Sequence, residues 1–351
     1  MIYYFIIFFI SLFVAYLFTI LAKNIASSIG AIDKPSDIKI HNKPIPRLGG
    51  LAIYVAFLIS MIFIYYFNNN LYFISKNKII GIFISGTIVF FTGLIDDIVT
   101  TKASYKLLIQ AIAASVLFFY GIRMNLFPNL QFSFIFTIIY VVGSYSAMDM
   151  IDGLDGLAAG ITTICSIFFL IIFWQQGEEL GMLLSLILIG SSLGFLKHNF
   201  YPAKIFMGDG GSMLFGFLLA TLMIIYTCQP YDIVRSIVPI LILGVPITDN
   251  FLTFLYRFRE GKSFLAGDLN HFYNRVMSCG VSHKNTVLVM YLVSVIFGLN
   301  AVLFTVNVNV GWVFLIILGI GLFYSIRKVG LLERESLRLR DILKDRSEGE
   351  E

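Results

Sequence analysis

The sequence predicts an all-α, polytopic integral membrane protein of about eleven transmembrane helices, and three observations carry that prediction. Mean hydropathy is +0.87, with 58% of residues hydrophobic and only 13% charged, against roughly one quarter charged in a soluble domain. Apolar runs long enough to cross about 30 Å of hydrocarbon, at about 1.5 Å per helical residue, recur along the chain. Positive residues crowd into alternate connections between those runs.

The runs fall at 1–22, 48–67, 79–95, 107–122, 130–148, 157–174, 180–196, 213–228, 233–256, 286–306 and 310–326. No positive residue precedes the first run and Lys23 follows it without a small-residue cleavage pattern. It therefore predicts an uncleaved anchor with the N-terminus outside. An odd number of crossings then puts the C-terminus in the cytoplasm. Of the 25 Lys and Arg, 21 lie in connections 23–47, 96–106, 197–212 and 257–285 and in the tail from 327; the other four are Lys76, Lys78, Arg123 and Arg235. The first set is assigned to the cytoplasm. The net charge of +4 reflects this topology, and no nucleic acid partner is expected.

The longest internal polar connection, 257–285, is too short for an independent core. Residues 1–326 are thus expected to form one transmembrane domain that carries the chemistry, and 327–351 a charged cytoplasmic tail, with a surface helix over 331–346. Cys165, Cys228 and Cys279 are scattered, without a CxxC pair, so neither disulfides nor a zinc site is expected.

Chemistry-bearing residues gather in the connections on this same cytoplasmic side, the short one after 148 included. The first reads His41-Asn42-Lys43-Pro44-Ile45-Pro46-Arg47-Leu48-Gly49-Gly50. Its prolines fix the backbone, its glycines allow close approach to a ligand, and Lys43 and Arg47 supply positive charge for a phosphate. The second opens on Asp96-Asp97 at the end of an apolar helix, where desolvation and mutual repulsion call for a cation or a shared proton. The third places Asp149, Asp152 and Asp155 three residues apart, on one face if the stretch is helical. A calcium loop does not fit, because its twelfth position is Thr163.

The fourth connection sets Asp209 in Gly208-Asp209-Gly210-Gly211-Ser212 at the start of a helix. Free amides there suit an anion, and the carboxylate suits a divalent cation that the anion shares. Gly261-Lys262-Ser263 is not a Walker sequence, since Tyr256 stands where its first glycine belongs. The fifth connection follows Asp249 and holds Asp268, His271, Asn274 and Arg275; His271 is a candidate phosphate or nucleotide contact, whereas His198 and His283 are expected to be structural. Paired carboxylates, a cation site and phosphate-binding cations at one face assemble phosphoryl transfer at a membrane surface.

The motifs HNKPIPRLGG, GLIDD, MIDGLDGLAAG, FMGDGGS and PITDN through DLNHFYNR stand in the order and spacing of a known family. From about Asp33 to Asn285 the chain resembles the polyprenyl-phosphate N-acetylhexosamine-1-phosphate transferases, relatives of phospho-N-acetylmuramoyl-pentapeptide transferase. The resemblance implies transfer of a sugar 1-phosphate from a UDP-sugar to undecaprenyl phosphate, with Mg2+ or Mn2+, releasing UMP. The setting implied is a bacterial inner membrane, among membrane lipid, with the site facing the cytoplasm and a homodimer among the permitted assemblies. The step implied is the first membrane step of a cell-surface polysaccharide such as O-antigen. Carried onto this chain, Asp96 or Asp97 is the base toward the lipid phosphate, Asp152 and Asp155 belong to the catalytic cluster, and Asp209 ligates the metal. His41, Lys43, Asp149, Asp249, His271 and Arg275 are implied as substrate-binding.

The chain departs from the family pattern in three places. Tyr273 and Asn274 occupy the later positions of a histidine-rich motif, Leu269 replaces an arginine, and Asp149 replaces an asparagine. These changes point toward a donor with an N-acetylhexosamine, 6-deoxy sugars included, and away from the muramoyl-pentapeptide. The competing readings are that pentapeptide transferase and, from another class, a cation transporter; transporter sites normally lie near the bilayer midplane, whereas these carboxylates sit at one face.

Overall fold

The computed structural model describes residues 2–35, 44–67, 74–99, 101–125, 129–228, 233–259, 261 and 271–328. His41 and Lys43, the segment 262–270 and the expected tail helix at 331–346 lie outside the described residues.

The described residues are helical almost throughout. The chain runs α1 (Ile2–Ile29), a two-residue β-hairpin of β1 (Ile32–Asp33) and β2 (Ile45–Pro46), α2 (Gly49–Phe67), α3 (Lys76–Ile98), α4 (Ala103–Phe119), α5 (Leu130–Ile151), α6 (Leu157–Gln176) and α7 (Glu179–Asn199). It continues with α8 (Gly208–Thr227), α9 (Ile233–Ile242), α10 (Gly244–Arg259), α11 (Phe272–Ser278), α12 (His283–Val306) and α13 (Val308–Lys328). Among the described residues eight helices are long and apolar enough to span a membrane: α1, α2, α3, α5, α6, α7, α8 and α12. Two further apolar helices, Ala103–Phe119 and Val308–Tyr324, are shorter; 17 residues reach only about 25 Å.

One expected element is corrected. The apolar run 233–256 is not one straight helix, because α9 and α10 meet at an angle of 84°. Pro246 has no N–H to continue the ladder of α9. A side chain at Gly244 would collide with the Phe297 ring, so the corner is packed closely against α12. Among the described residues there are eight such spans, or nine if the bent pair counts as one.

Helix ends follow local chemistry. Asn129 caps α5 by accepting from Gln131 N at 2.8 Å, and Ser282 caps α12. Gly177 closes α6 in the left-handed conformation, its N–H returning to Phe173 and Trp174 carbonyls.

α8 is the axis of the fold. All its residues are buried, and it packs against α2, α3, α5, α6, α7 and α9. A helix apolar on every side belongs in the centre of a bundle. α1 lies outside, against α2 and α7; Gly190 and Gly194 of α7 admit its backbone at Phe8 and Leu12, the small-residue contact usual between membrane helices. Its opposite face presents Phe5, Phe9, Phe13 and Leu17 outward, as a lipid-facing surface requires.

Candidate active site

The described residues of the five connections that carry the candidate site residues meet at one end of the bundle. The β-hairpin pairs Ile32 with Pro46 and Asp33 with Ile45. Pro46 O accepts from Phe206 N at 2.8 Å, while Gly49 N and Gly50 N donate to Phe206 O at 2.9 Å and Met207 O at 2.7 Å. Asp155 joins the third connection to the fourth through Ala203 N at 2.9 Å, and to the fifth by donating its own N–H to His283 Nε2 at 3.0 Å.

The paired glycines serve this convergence. A Cβ at Gly50 would strike the backbone of Gly210 and Gly211, and one at Gly93 the Asp209 carbonyl and the Gly210 amide at 2.5 Å. The expected close approach is therefore to the backbone of α8 rather than to a ligand. Gly208 adopts φ +71°, with the Asp97 carboxylate against its α-carbon face, a conformation strained for other residues.

This packing sets Asp97, at the end of α3, over the start of α8. Its Oδ1 accepts from Asp209 N at 2.8 Å and its Oδ2 from Gly210 N at 3.0 Å. The free amides expected to hold an anion are thus occupied by a carboxylate from another helix, which also meets the positive end of the helix dipole. Two cations complete the cluster. Arg47 Nε lies 3.1 Å from Asp97 and its Nη2 2.5 Å from Asp209. Lys106 Nζ bridges Asp96 at 2.5 Å and Asp209 at 2.6 Å. Burial acts to lower the Arg47 pKa, but Asp209, Asp97, Asp33 and Asp152 outweigh it, and the guanidinium is held above its ordinary value.

The remaining carboxylates flank this core. Asp96 also accepts from Thr101 N at 2.7 Å and its hydroxyl at 2.5 Å, and Asp149 accepts from Ser212 Oγ at 3.0 Å. α5 ends at Ile151 and Gly156 turns with φ +77°, so Asp149, Asp152 and Asp155 do not share one helix face. Asp155 is turned toward Ala203. Half-buried Asp152 is different: among the described residues its carboxylate makes no hydrogen bond. Burial, then Asp149, raises its pKa well above the usual carboxylate value; Arg47 opposes that, and Asp209 and Asp97 add to it.

A second cluster sits beside the first. Asp249 on α10 accepts from His271 Nδ1 at 2.8 Å and Phe272 N at 2.6 Å. His271 stacks on Tyr273 with ring centroids 5.3 Å apart and planes 3° from parallel. The Tyr273 hydroxyl donates to Met150 O at 3.4 Å, and Gly153 leaves room for it. Arg275 is buried in α11, its N–H donating to His271 O at 3.1 Å.

Residues 79–227 match the family model described as glycosyl transferase family 4. The chain is 35% identical over 304 residues, covering 84% of it and 83% of the relative, to a probable undecaprenyl-phosphate N-acetylglucosaminyl 1-phosphate transferase of Bacillus subtilis. The chain belongs to this family of polyprenyl-phosphate sugar-1-phosphate transferases. Within the family it is also 31% identical to the decaprenyl-phosphate N-acetylglucosaminephosphotransferase of Mycobacterium tuberculosis, over 77% of this chain and 74% of that one. It is 24% identical to the undecaprenyl-phosphate alpha-N-acetylglucosaminyl 1-phosphate transferase of Escherichia coli K12, over 92% and 91%. The matched segment spans Asp96, Asp97, Lys106, Asp149, Asp152 and Asp209.

Of the residues singled out from sequence, Asp96, Asp97, Asp149, Asp152 and Asp209 come together, while Asp249 and His271 form the neighbouring pair. Lys106, which bridges Asp96 and Asp209, is the residue of this cluster that sequence reasoning misses. Its signal is a lysine that is the one charged residue of its helix, nine residues after Asp97. Arg47 reads from sequence as positive charge, not as the bridge between Asp97 and Asp209.

Among the described residues no three His, Cys, Asp or Glu side chains stand as a preformed metal cage, and Arg47 and Lys106 each bind one oxygen of Asp209. The donor set nonetheless fits a hard divalent cation: five carboxylates face two cations, and all donors are oxygen.

Proposed function

We propose that the chain transfers N-acetylglucosamine 1-phosphate from UDP-N-acetylglucosamine to undecaprenyl phosphate, releasing UMP, at the cytoplasmic face of a bacterial inner membrane. The observation that carries the reading is the cluster of Asp96, Asp97 and Asp209 cross-linked by Arg47 and Lys106 where five loops converge. Such a cluster supplies the positive groups and the oxygen ligands that moving a diphosphate-linked sugar demands. The relatives carry N-acetylglucosamine in their names, which favours that sugar over a 6-deoxy one.

Asp209, with Asp97 and Asp149 beside it, would hold Mg2+. A bound divalent ion would neutralise the diphosphate and favour departure of UMP. Arg47 and Lys106, released from Asp209, are placed to hold the phosphates. Asp97, fixed by two amides of α8, keeps the start of that helix in register. Asp152 is favoured as the acceptor of a proton from the lipid phosphate, since its carboxylate is not committed to a described partner and its pKa is raised. Asp96 or Asp97 in that role would first have to give up its present bonds. Direct in-line attack by the lipid phosphate then releases UMP.

Eleven crossings with the N-terminus outside and the C-terminus cytoplasmic are supported by the eight spans, the bent pair and the two shorter apolar helices, and by the positive charge gathered at the site's end. Incorporation of radiolabel from UDP-N-acetylglucosamine into butanol-extractable lipid tests the reading. Preference for UDP-N-acetylmuramoyl-pentapeptide would overturn the donor, and no lipid product from any UDP-sugar would overturn the reaction.

A further inference from the structure

Asp249 is 2% exposed and His271 6%, and their pairing is over-determined. The carboxylate accepts from His271 Nδ1 at 2.8 Å with one oxygen and from Phe272 N at 2.6 Å with the other. The Thr253 hydroxyl lies 3.4 Å from the same ring nitrogen. The imidazole plane is held parallel to Tyr273, and Tyr273 is anchored to the Asp152 loop through Met150 O. Among the described residues His271 Nε2 makes no hydrogen bond.

A carboxylate has no proton to give, so the bond to Asp249 places a ring proton on Nδ1, and in the neutral imidazole Nε2 is then the acceptor. Both Asp249 oxygens are committed to this task, which leaves little of that group for substrate. We propose that Asp249 is a positioning residue that acts through His271, presenting Nε2 as an acceptor for an N–H or O–H of the nucleotide-sugar donor.

The inference rests on the transferase reading for the identity of the ligand, but not for the tautomer. Asp249→Asn makes the sharp test. The Phe272 N–H can only donate, so it draws the Asn oxygen to itself and turns the NH2 toward His271 Nδ1. The ring must then accept there and carry its proton on Nε2, reversing what it offers the donor. In 15N spectra of protein labelled at histidine in lipid nanodiscs, with a His271→Gln sample to assign the signal, the wild type is expected to show His271 protonated on Nδ1 and the variant on Nε2. Protonation on Nε2 in the wild type would overturn the proposal whether or not the variants fold.

With UDP-N-acetylglucosamine, Asp249→Asn is expected to raise KM about 10-fold or more, within the range for mispairing a buried polar group, with kcat changed less. Asp249→Asn added to His271→Gln should cost less than a further 2-fold, about 0.4 kcal/mol. Losses that multiply would show that Asp249 acts independently of His271. Inactive wild type with the expected tautomer would sink the transferase reading and leave the positioning intact.

Discussion

Asp97 and Asp209 are joined twice: the Asp97 carboxylate accepts the Asp209 amide at 2.8 Å, and one guanidinium, that of Arg47, binds both side chains. This double link fastens the end of α3 to the start of α8 and fixes the spacing of two carboxylates at the proposed reaction centre.

Asp209 also receives Lys106, so it is the shared partner of both cations. Asp209→Asn is expected to lower turnover 100-fold or more, about 2.7 kcal/mol. Arg47→Gln should also lower activity, since it frees two carboxylates to repel one another. Steady-state rates at saturating donor check both; a wild-type rate in Asp209→Asn would remove it from the centre.

If the oxygen-rich cluster takes a divalent ion, excess chelator should abolish turnover and added Mg2+ or Mn2+ restore it. In the absence of substrate, Mg2+ should raise the unfolding temperature of wild type more than that of Asp209→Asn. Equal shifts in the two proteins would place the ion elsewhere.

Asp152 should carry a cost in stability. Its pKa is raised on folding, so the native state binds a proton more tightly than the unfolded chain does. Its destabilising effect is absent below the unfolded pKa and grows as pH rises toward the raised folded value. Metal-free Asp152→Asn should therefore be more stable than wild type at pH 7, with the difference closing toward about pH 4. Its activity should fall most at low pH and recover partly as the acceptor phosphate, with a pKa near 6, loses its own proton. Thermal unfolding and rate at several pH values check both, and a pH-independent loss would favour a purely electrostatic role.

Gly50→Ala should be damaging for a geometric reason, because its methyl group would meet the backbone of α8, which cannot yield as a side chain can. A cost of about 1 to 3 kcal/mol is expected, with a loss of activity as Asp209 shifts. Gly143, where a methyl group would meet nothing within 4 Å, should accept alanine without loss. Equal unfolding temperatures for the two variants would contradict the helix-contact account.

Much of this was legible in the sequence. Apolar length and charge alternation located the helices and grouped the five connections that the fold brings together, because lipid imposes both on any chain that crosses it. Asp96-Asp97 stood out for the same reason: two charges at an apolar boundary need partners. The partners themselves were not legible. Asp97 reaches the amides of α8 across 112 residues, and no periodicity encodes such a pairing. The corner at Gly244 and Pro246 was written in the sequence but was masked by an apolar run of spanning length. The shared face of Asp149, Asp152 and Asp155 was conditional on a continuous helix, and α5 ends at Ile151, before Asp152 and Asp155.

The most direct test is the nucleotide released as lipid product forms from UDP-N-acetylglucosamine and undecaprenyl phosphate. The account predicts one UMP for each lipid-linked sugar, with both lost together in Asp209→Asn. Release of UDP would show transfer of the sugar without its phosphate, and lipid product undiminished in Asp209→Asn would separate the reaction from this cluster; either result would contradict the account.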